Sequence, residues 1–132
     1  MRSKNKQYQR IYAIIENWLQ KVESGDSKDV SKLYAEDGVL LGTMAANIKQ
    51  GRRVIKTYFD TFLKKNPIGM LNSIVFQALG DEFGIADGNY TFELDEKGKR
   101  VFVSARYTFV VNLDTGLIMT HHSSSNPNNT PV

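Results

Sequence analysis

Val101-Phe-Val-Ser-Ala-Arg-Tyr-Thr-Phe-Val-Val111 is a mostly apolar run rich in β-branched and aromatic side chains, so it reads as a long strand. One residue is out of place in it, Arg106. Strand alternation puts Arg106 on a face with Phe102, Ser104, Thr108 and Val110, and puts Val103, Ala105, Tyr107 and Phe109 on the other. Either face can be the concave one. Outward from this run, turn signals stand at Gly80-Asp81, at Asp95 to Gly98 and at Asp114-Thr115-Gly116. They divide the second half of the chain into four strands, at about 70–79, 84–94, 100–112 and 117–124, and sequential strands joined by short turns form an antiparallel meander.

The first half has a different period. Tyr8, Ile11, Tyr12, Ile15, Trp18, Leu19 and Val22 recur as one face of an amphipathic helix, which Ser24-Gly25 ends. Asp26 or Ser27 caps a short second helix carrying Val30, Leu33 and Tyr34. Asp37-Gly38 then turns into Val39-Leu40-Leu41, a short buried strand, and residues 42–50 read as a loop. A third helix runs from about Gly51 to Lys65 with Val54, Ile55, Tyr58, Phe59, Phe62 and Leu63 on a broad face, and Asn66-Pro67 stops it. Three helices ahead of a meander must cover one of its faces, which gives an α+β fold. The polar stretch from Asn126 to Val132 is expected to be an extended end.

The 132 residues suit a single domain over 1–132, with 41% hydrophobic residues and no repeat. The net charge of +3 is scattered, and the basic cluster Arg2, Lys4, Lys6 and Arg10 reads as a solvated helix start, so no nucleic-acid surface is expected. Absence of cysteine excludes disulfides, thiolate catalysis and thiolate metal sites. No segment has the length and apolarity of a membrane span or a secretory signal, so the expectation is a cytoplasmic protein without membrane contact.

Arg106 is the most informative candidate for binding, because a buried guanidinium needs a carboxylate partner, water or an anionic ligand. On the third helix Lys56 lies at the edge of the apolar arc and can reach toward a pocket mouth, while Arg52 falls inside the arc in the first turn. Tyr90, Trp18 and Tyr58 are candidate wall residues. His121 and His122 are adjacent on a strand and point to opposite faces, so they cannot together chelate one metal, and no metal site or cofactor is expected. Carboxylate pairs for acid–base work are scarce. Asp87, which shares a strand face with Asn89 and Glu93, Asp60 on the third helix and His122 are the candidates for proton transfer.

Five segments, Leu33-Tyr-Ala-Glu-Asp-Gly-Val-Leu-Leu41, Ile55-Lys-Thr-Tyr-Phe-Asp-Thr-Phe-Leu63, Gly88-Asn-Tyr-Thr-Phe92, Ala105-Arg-Tyr-Thr-Phe-Val110 and His121-His-Ser-Ser124, together resemble one family. They are similar to SnoaL-like proteins of the SgcJ/EcaC type and to the calcium/calmodulin-dependent protein kinase II association (hub) domain, within the nuclear transport factor 2-like superfamily. The resemblance spans about residues 8–127. It implies a cystatin-like cone, three N-terminal helices on a curved antiparallel sheet, with a deep pocket between them and self-association as a homodimer through the sheet or as a higher, ring-like oligomer of such dimers. It also implies pocket arginines that bind small carboxylates: Arg106 matches one, Lys56 stands where another occurs, and Asn89 and Ser123 stand where further ones occur. No glycine-rich nucleotide loop or His-Arg-Asp segment exists, so kinase chemistry is not implied.

The function these readings imply is a self-associating, hub-like domain that binds a small polar or carboxylated molecule through Arg106, Lys56, Tyr90, Trp18, Tyr58 and Asn89. The alternative is a SnoaL-like or ketosteroid-isomerase-like enzyme moving a proton on a hydrophobic carbonyl substrate through Asp87, Asp60 or His122. That alternative requires at least one of the three to face the cavity.

Overall fold

The computed structural model describes residues 3–127. The expectation for the C-terminal stretch therefore lies outside the described residues from position 128 onward. The first helix, α1, spans Lys4–Ser24 and is longer at both ends than the apolar pattern indicates. Ser3 caps it by accepting from the Lys6 amide at 3.3 Å, and Gly25, at φ 82°, ends it in the left-handed conformation that a Cβ disfavours. Its covered face is Ile11, Ile14, Ile15, Trp18 and Val22, whereas Tyr12 is exposed. Gln7, also buried, donates from Nε2 to the Gly80 carbonyl at 2.7 Å and ties the helix start to a sheet turn.

The second helix, α2, is a single turn over Ser27–Ser31 capped by Asp26, whose carboxylate accepts from the Lys28 and Asp29 amides. Tyr34 does not belong to it. Tyr34 instead opens the first strand, β1, over Tyr34–Leu41, which starts earlier than the Val39–Leu41 run because Tyr34 and Ala35 are already buried against the core. Within the expected loop, Lys49–Gln50 form a two-residue strand, β2, paired with Val39 and Leu40. The third helix, α3, covers Arg52–Phe62 and tightens into a 3-10 turn over Leu63–Lys65. Arg52 turns back to donate from Nε to the Tyr34 carbonyl at 2.7 Å, so the charge inside the apolar arc fastens α3 to β1.

The remaining strands are β3 (Ile68–Leu79), β4 (Phe83–Glu96), β5 (Lys99–Asn112) and β6 (Ile118–Ser125). Lys97 and Gly98, both at positive φ, make the two-residue turn between β4 and β5, the geometry that matches the right-handed twist of a hairpin. The sheet order is β2-β1-β6-β5-β4-β3. The meander is antiparallel as its turns dictate, but β1 joins it parallel to β6, a long-range pairing that the period of the sequence does not announce. A register shift between Leu71 and Ser73 lets β3 present Leu71 and then Ile74 and Phe76 to the helices. The curved sheet wraps around α1 and α3 in an α+β architecture, and the core lies between them, centred on Trp18, Phe59, Tyr90, Phe109 and Ile118. No helix among the described residues is long and apolar enough to cross a membrane.

Candidate functional site

Between α1, α3 and the concave face of the sheet lies a cavity of about 410 Å³. Alternation along β4, β5 and β6 delivers Tyr90, Ala105, His121 and Ser123 to its inner end, and α1 contributes Trp18. Tyr58, Phe59 and Phe62 of α3 and Phe92 of β4 form aromatic walls. The mouth carries Thr43 and Met44 from the connection after β1, together with Lys49, Lys65 and Glu96.

The inner end is polar but uncharged. Trp18 Nε1 donates to the Tyr34 hydroxyl at 3.1 Å, and that oxygen lies 2.8 Å from His121 Nδ1. His121 Nε2 lies 3.1 Å from the Tyr90 hydroxyl, which in turn donates to Ser123 Oγ at 2.7 Å. Ser123 Oγ and Thr43 Oγ1 are 2.5 Å apart. Five side chains from three strands and the loop at the mouth thus form one connected line, begun by an indole of α1. The imidazole is clamped as well as bonded, stacked on Phe109 with ring centres 3.9 Å apart and met edge-on by Trp18 at 5.0 Å. Burial, assisted by the positive charge His122 can carry, lowers the His121 pKa to about 3, so the ring is neutral at physiological pH. Burial also holds the Tyr34 and Tyr90 phenols well above their ordinary value and pushes Tyr58 up to about 12. All these phenols keep their protons.

The expected site residues divide between two faces. Trp18, Tyr58 and Tyr90 line the cavity. Arg106 does not: its side chain leaves β5 on the outer face, exposed, because the strand turns Ala105 and Tyr107 toward the helices. Asn89 lies beside it on the outer face, paired across the strands with Arg106 and hydrogen-bonded to Ser73 and Asn126. Lys56 points along the surface of α3 to Asp60 at 3.1 Å and is no part of the cavity lining. Of the proton-transfer candidates, Asp60 is exposed and held below its ordinary pKa by Ser27 and Lys56. Asp87 accepts from Thr108 on the outer face. His122 is exposed on that face too. None of the three faces the cavity, so the condition attached to the proton-transfer alternative is not met. Among the lining side chains the one carboxylate is Glu96, at the rim and paired with Lys65 at 2.8 Å. Among the described residues no three His, Asp or Glu side chains gather as a metal-binding group.

Tyr34, Thr43 and the relay role of His121 escaped the sequence reading. Their signal was present in part: of two adjacent histidines on a strand one must face the core, and a core histidine needs buried partners on both nitrogens. What the sequence could not supply was Tyr34 and Tyr90, 87 and 31 residues away along the chain.

No curated protein matches the chain. Among solved structures, a Xanthomonas campestris protein assigned as a calcium/calmodulin dependent protein kinase II association domain superposes with a TM-score of 0.84 at 40% identity, over 89% of this chain and 86% of that one. Two more distant structures share the fold. One is SalBIII, an epoxide hydrolase/cyclase-like enzyme of pyran ring formation in salinomycin, with a TM-score of 0.74 at 15% identity over 90% of this chain and 92% of that one. The other is an NTF2-like protein with a cystatin-like fold from Novosphingobium aromaticivorans, with a TM-score of 0.77 at 14% identity over 95% and 85%. The family pattern described as calcium/calmodulin dependent protein kinase II association domain matches residues 7–127, nearly all of the described chain. The chain therefore belongs to the calcium/calmodulin dependent protein kinase II association domain family, built on the cystatin-like fold of NTF2-like proteins.

Proposed function

We propose that this chain is a self-associating domain that joins copies of itself through the outer face of its sheet and holds a small organic molecule in the cavity on the other side. The observation that carries the reading is the character of the outer face. Phe102 is 66% exposed, Val75 64% and Leu79 52%, with Met70 and Ile68 also exposed on the same face. Leaving that much apolar side chain in water on one surface is unfavourable, and covering it with a second copy removes it. Membership of a family named for association supports the same reading.

In this arrangement Arg106, Asn89 and His122 act at the contact between copies. They form the polar centre of the face, flanked on one side by Phe102 and Met70 and on the other by Val110 and Ile85. A guanidinium there selects one register of association by meeting an acceptor of the second copy, which an apolar patch alone does not do.

Light scattering behind a sizing column tests the proposal. The wild type is expected at a multiple of the monomer mass, and Phe102→Glu, which places a charge at the most exposed apolar side chain of the outer face, at the monomer mass with an unchanged circular dichroism spectrum. A wild type that elutes as a monomer at all concentrations sinks the reading.

A further inference from the structure

The line of hydrogen bonds below the cavity has a direction, and the direction says what the cavity recognises. Trp18 Nε1–H, one imidazole N–H and the hydroxyls of Tyr34, Tyr90, Ser123 and Thr43 supply six hydrogens to the five links that join these groups. One hydrogen is left over. An indole nitrogen can only donate, so Trp18 fills an acceptor site on the Tyr34 oxygen. Tyr34 is fully buried, and the acceptor within reach of its own hydrogen is His121 Nδ1. A hydrogen on Nδ1 would strand the Tyr34 O–H in the core without an acceptor, at the full desolvation cost of that group. Nδ1 is therefore the accepting nitrogen and Nε2 carries the hydrogen.

From there each step follows. Nε2–H donates to Tyr90, Tyr90 donates to Ser123, and the surplus hydrogen falls on the Ser123–Thr43 pair, whichever of the two donates to the other. Both hydroxyls line the cavity. The far end of the line is closed by Trp18, so the line can unload its last hydrogen in one direction only.

We propose that the cavity binds an uncharged, largely apolar molecule through a single acceptor oxygen, a ketone or similar carbonyl, which takes the surplus hydrogen of the Ser123–Thr43 pair. The proposal rests on the cavity-binding part of the function proposed above and names its ligand class. The walls that such a molecule meets are Trp18, Tyr58, Phe62 and Phe92. A carboxylate fits the same place poorly: the two lining cations, Lys49 and Lys65, stand at the mouth, and Lys65 is already paired with Glu96. One hydroxyl hydrogen does not offset the desolvation of a full charge against aromatic rings.

Two measurements test it. The first is the nitrogen-15 spectrum of histidine-labelled wild-type protein, in which His121 is expected as the neutral Nε2–H tautomer, and an Nδ1–H tautomer overturns the proposal. The second is a titration, observed on the ligand by NMR, with three probes of one shape: cyclohexyl methyl ketone, isopropenylcyclohexane and cyclohexanecarboxylate. The ketone is expected to bind about five- to tenfold more tightly than the alkene, the usual worth of one added hydrogen bond, and more tightly than the carboxylate. In Thr43→Val/Ser123→Ala the ratio of ketone to alkene is expected to fall to about one. Equal binding of ketone and alkene by the wild type, preference for the carboxylate, or a ratio that survives the double substitution each overturns the proposal while leaving a binding cavity in place. Absence of binding by all three removes the cavity reading itself, and the self-association measured by light scattering stands or falls separately.

Discussion

His121 shows how a residue acquires its role from its surroundings. Its neighbour His122 is chemically identical and exposed, yet the two differ in everything that matters for the site. The sequence tells that they face opposite ways, and the mixed apolar and polar neighbours on both faces of β6 do not tell which is inside. Burial then sets the pH response. In the unfolded chain a histidine takes its proton near pH 6.5, while His121 in the folded chain resists it down to about pH 3. Between these limits the unfolded state binds more protons, so stability is expected to fall as the pH falls from about 6.5 toward 3, by at most ~1.4 kcal/mol per pH unit. The interval from about pH 6.5 to 5.5 separates this residue from the lowered carboxylates Asp60, Asp95 and Glu96, whose contribution is lost from about pH 5 downward. Urea unfolding across that interval should show the slope in wild type and in His122→Ala and lose it in His121→Phe. The phenylalanine variant should also be less stable at pH 7.5 by about 1–3 kcal/mol for the Tyr34 O–H it leaves without an acceptor, while Tyr90 keeps its bond to Ser123. An unchanged slope in His121→Phe would show that some other group governs the acid limb.

At the scale of elements, the sequence is legible wherever local chemistry decides and silent where distant strands meet. The caps and turns are local. Asp26 does cap α2, and removing its carboxylate in Asp26→Ala should cost about 1 kcal/mol, read as a lowered urea midpoint, with the fold retained. The four meander strands stand within a few residues of where their turns put them. The parallel pairing of β1 with β6, the extension of β1 back to Tyr34 and the shift of register in β3 all depend on long-range contacts, and none has a periodic signature. Gly88 belongs to this second group. It reads in the sequence as an ordinary interruption of a strand, but in the sheet it lies against the shifted segment of β3, where a Cβ would collide with the Ser73 carbonyl and come within 2.7 Å of the Tyr107 hydroxyl. That hydroxyl donates to the same carbonyl at 2.7 Å. Gly88→Ala must therefore push two backbones apart or break this bond. We expect a loss of about 2–3 kcal/mol by chemical denaturation, more than for Gly98→Ala in the open hairpin turn, where the strain is conformational alone.

For the whole molecule, the question the sequence left open was which face of the sheet is concave, and the reason is physical. A sheet with one dry and one wet face alternates apolar and polar residues, and the alternation then identifies the inside. In β5 the face toward the helices carries Val103, Ala105, Tyr107 and Phe109, while the face away from them mixes Phe102 and Val110 with Ser104 and Thr108, so the alternation around Arg106 is blurred by apolar side chains on both sides. Under the proposed self-association this ambiguity has a cause: the outer face is also buried, by a second copy, and its apolar residues are selected for that. A chain whose folded form alone can associate gains stability with concentration by mass action. The midpoint of thermal unfolding of the wild type should accordingly rise as the protein is concentrated a hundredfold, because the associated state is drained less readily into unfolded monomers. Phe102→Glu should unfold at a midpoint independent of concentration and at or below the wild-type value at the dilute end. Arg106→Ala separates the two halves of the face. If the apolar rim supplies the affinity and the guanidinium the register, the variant keeps a concentration-dependent midpoint but loses a single defined mass in light scattering. Loss of the concentration dependence itself in Arg106→Ala would assign the affinity to the polar centre of the face instead.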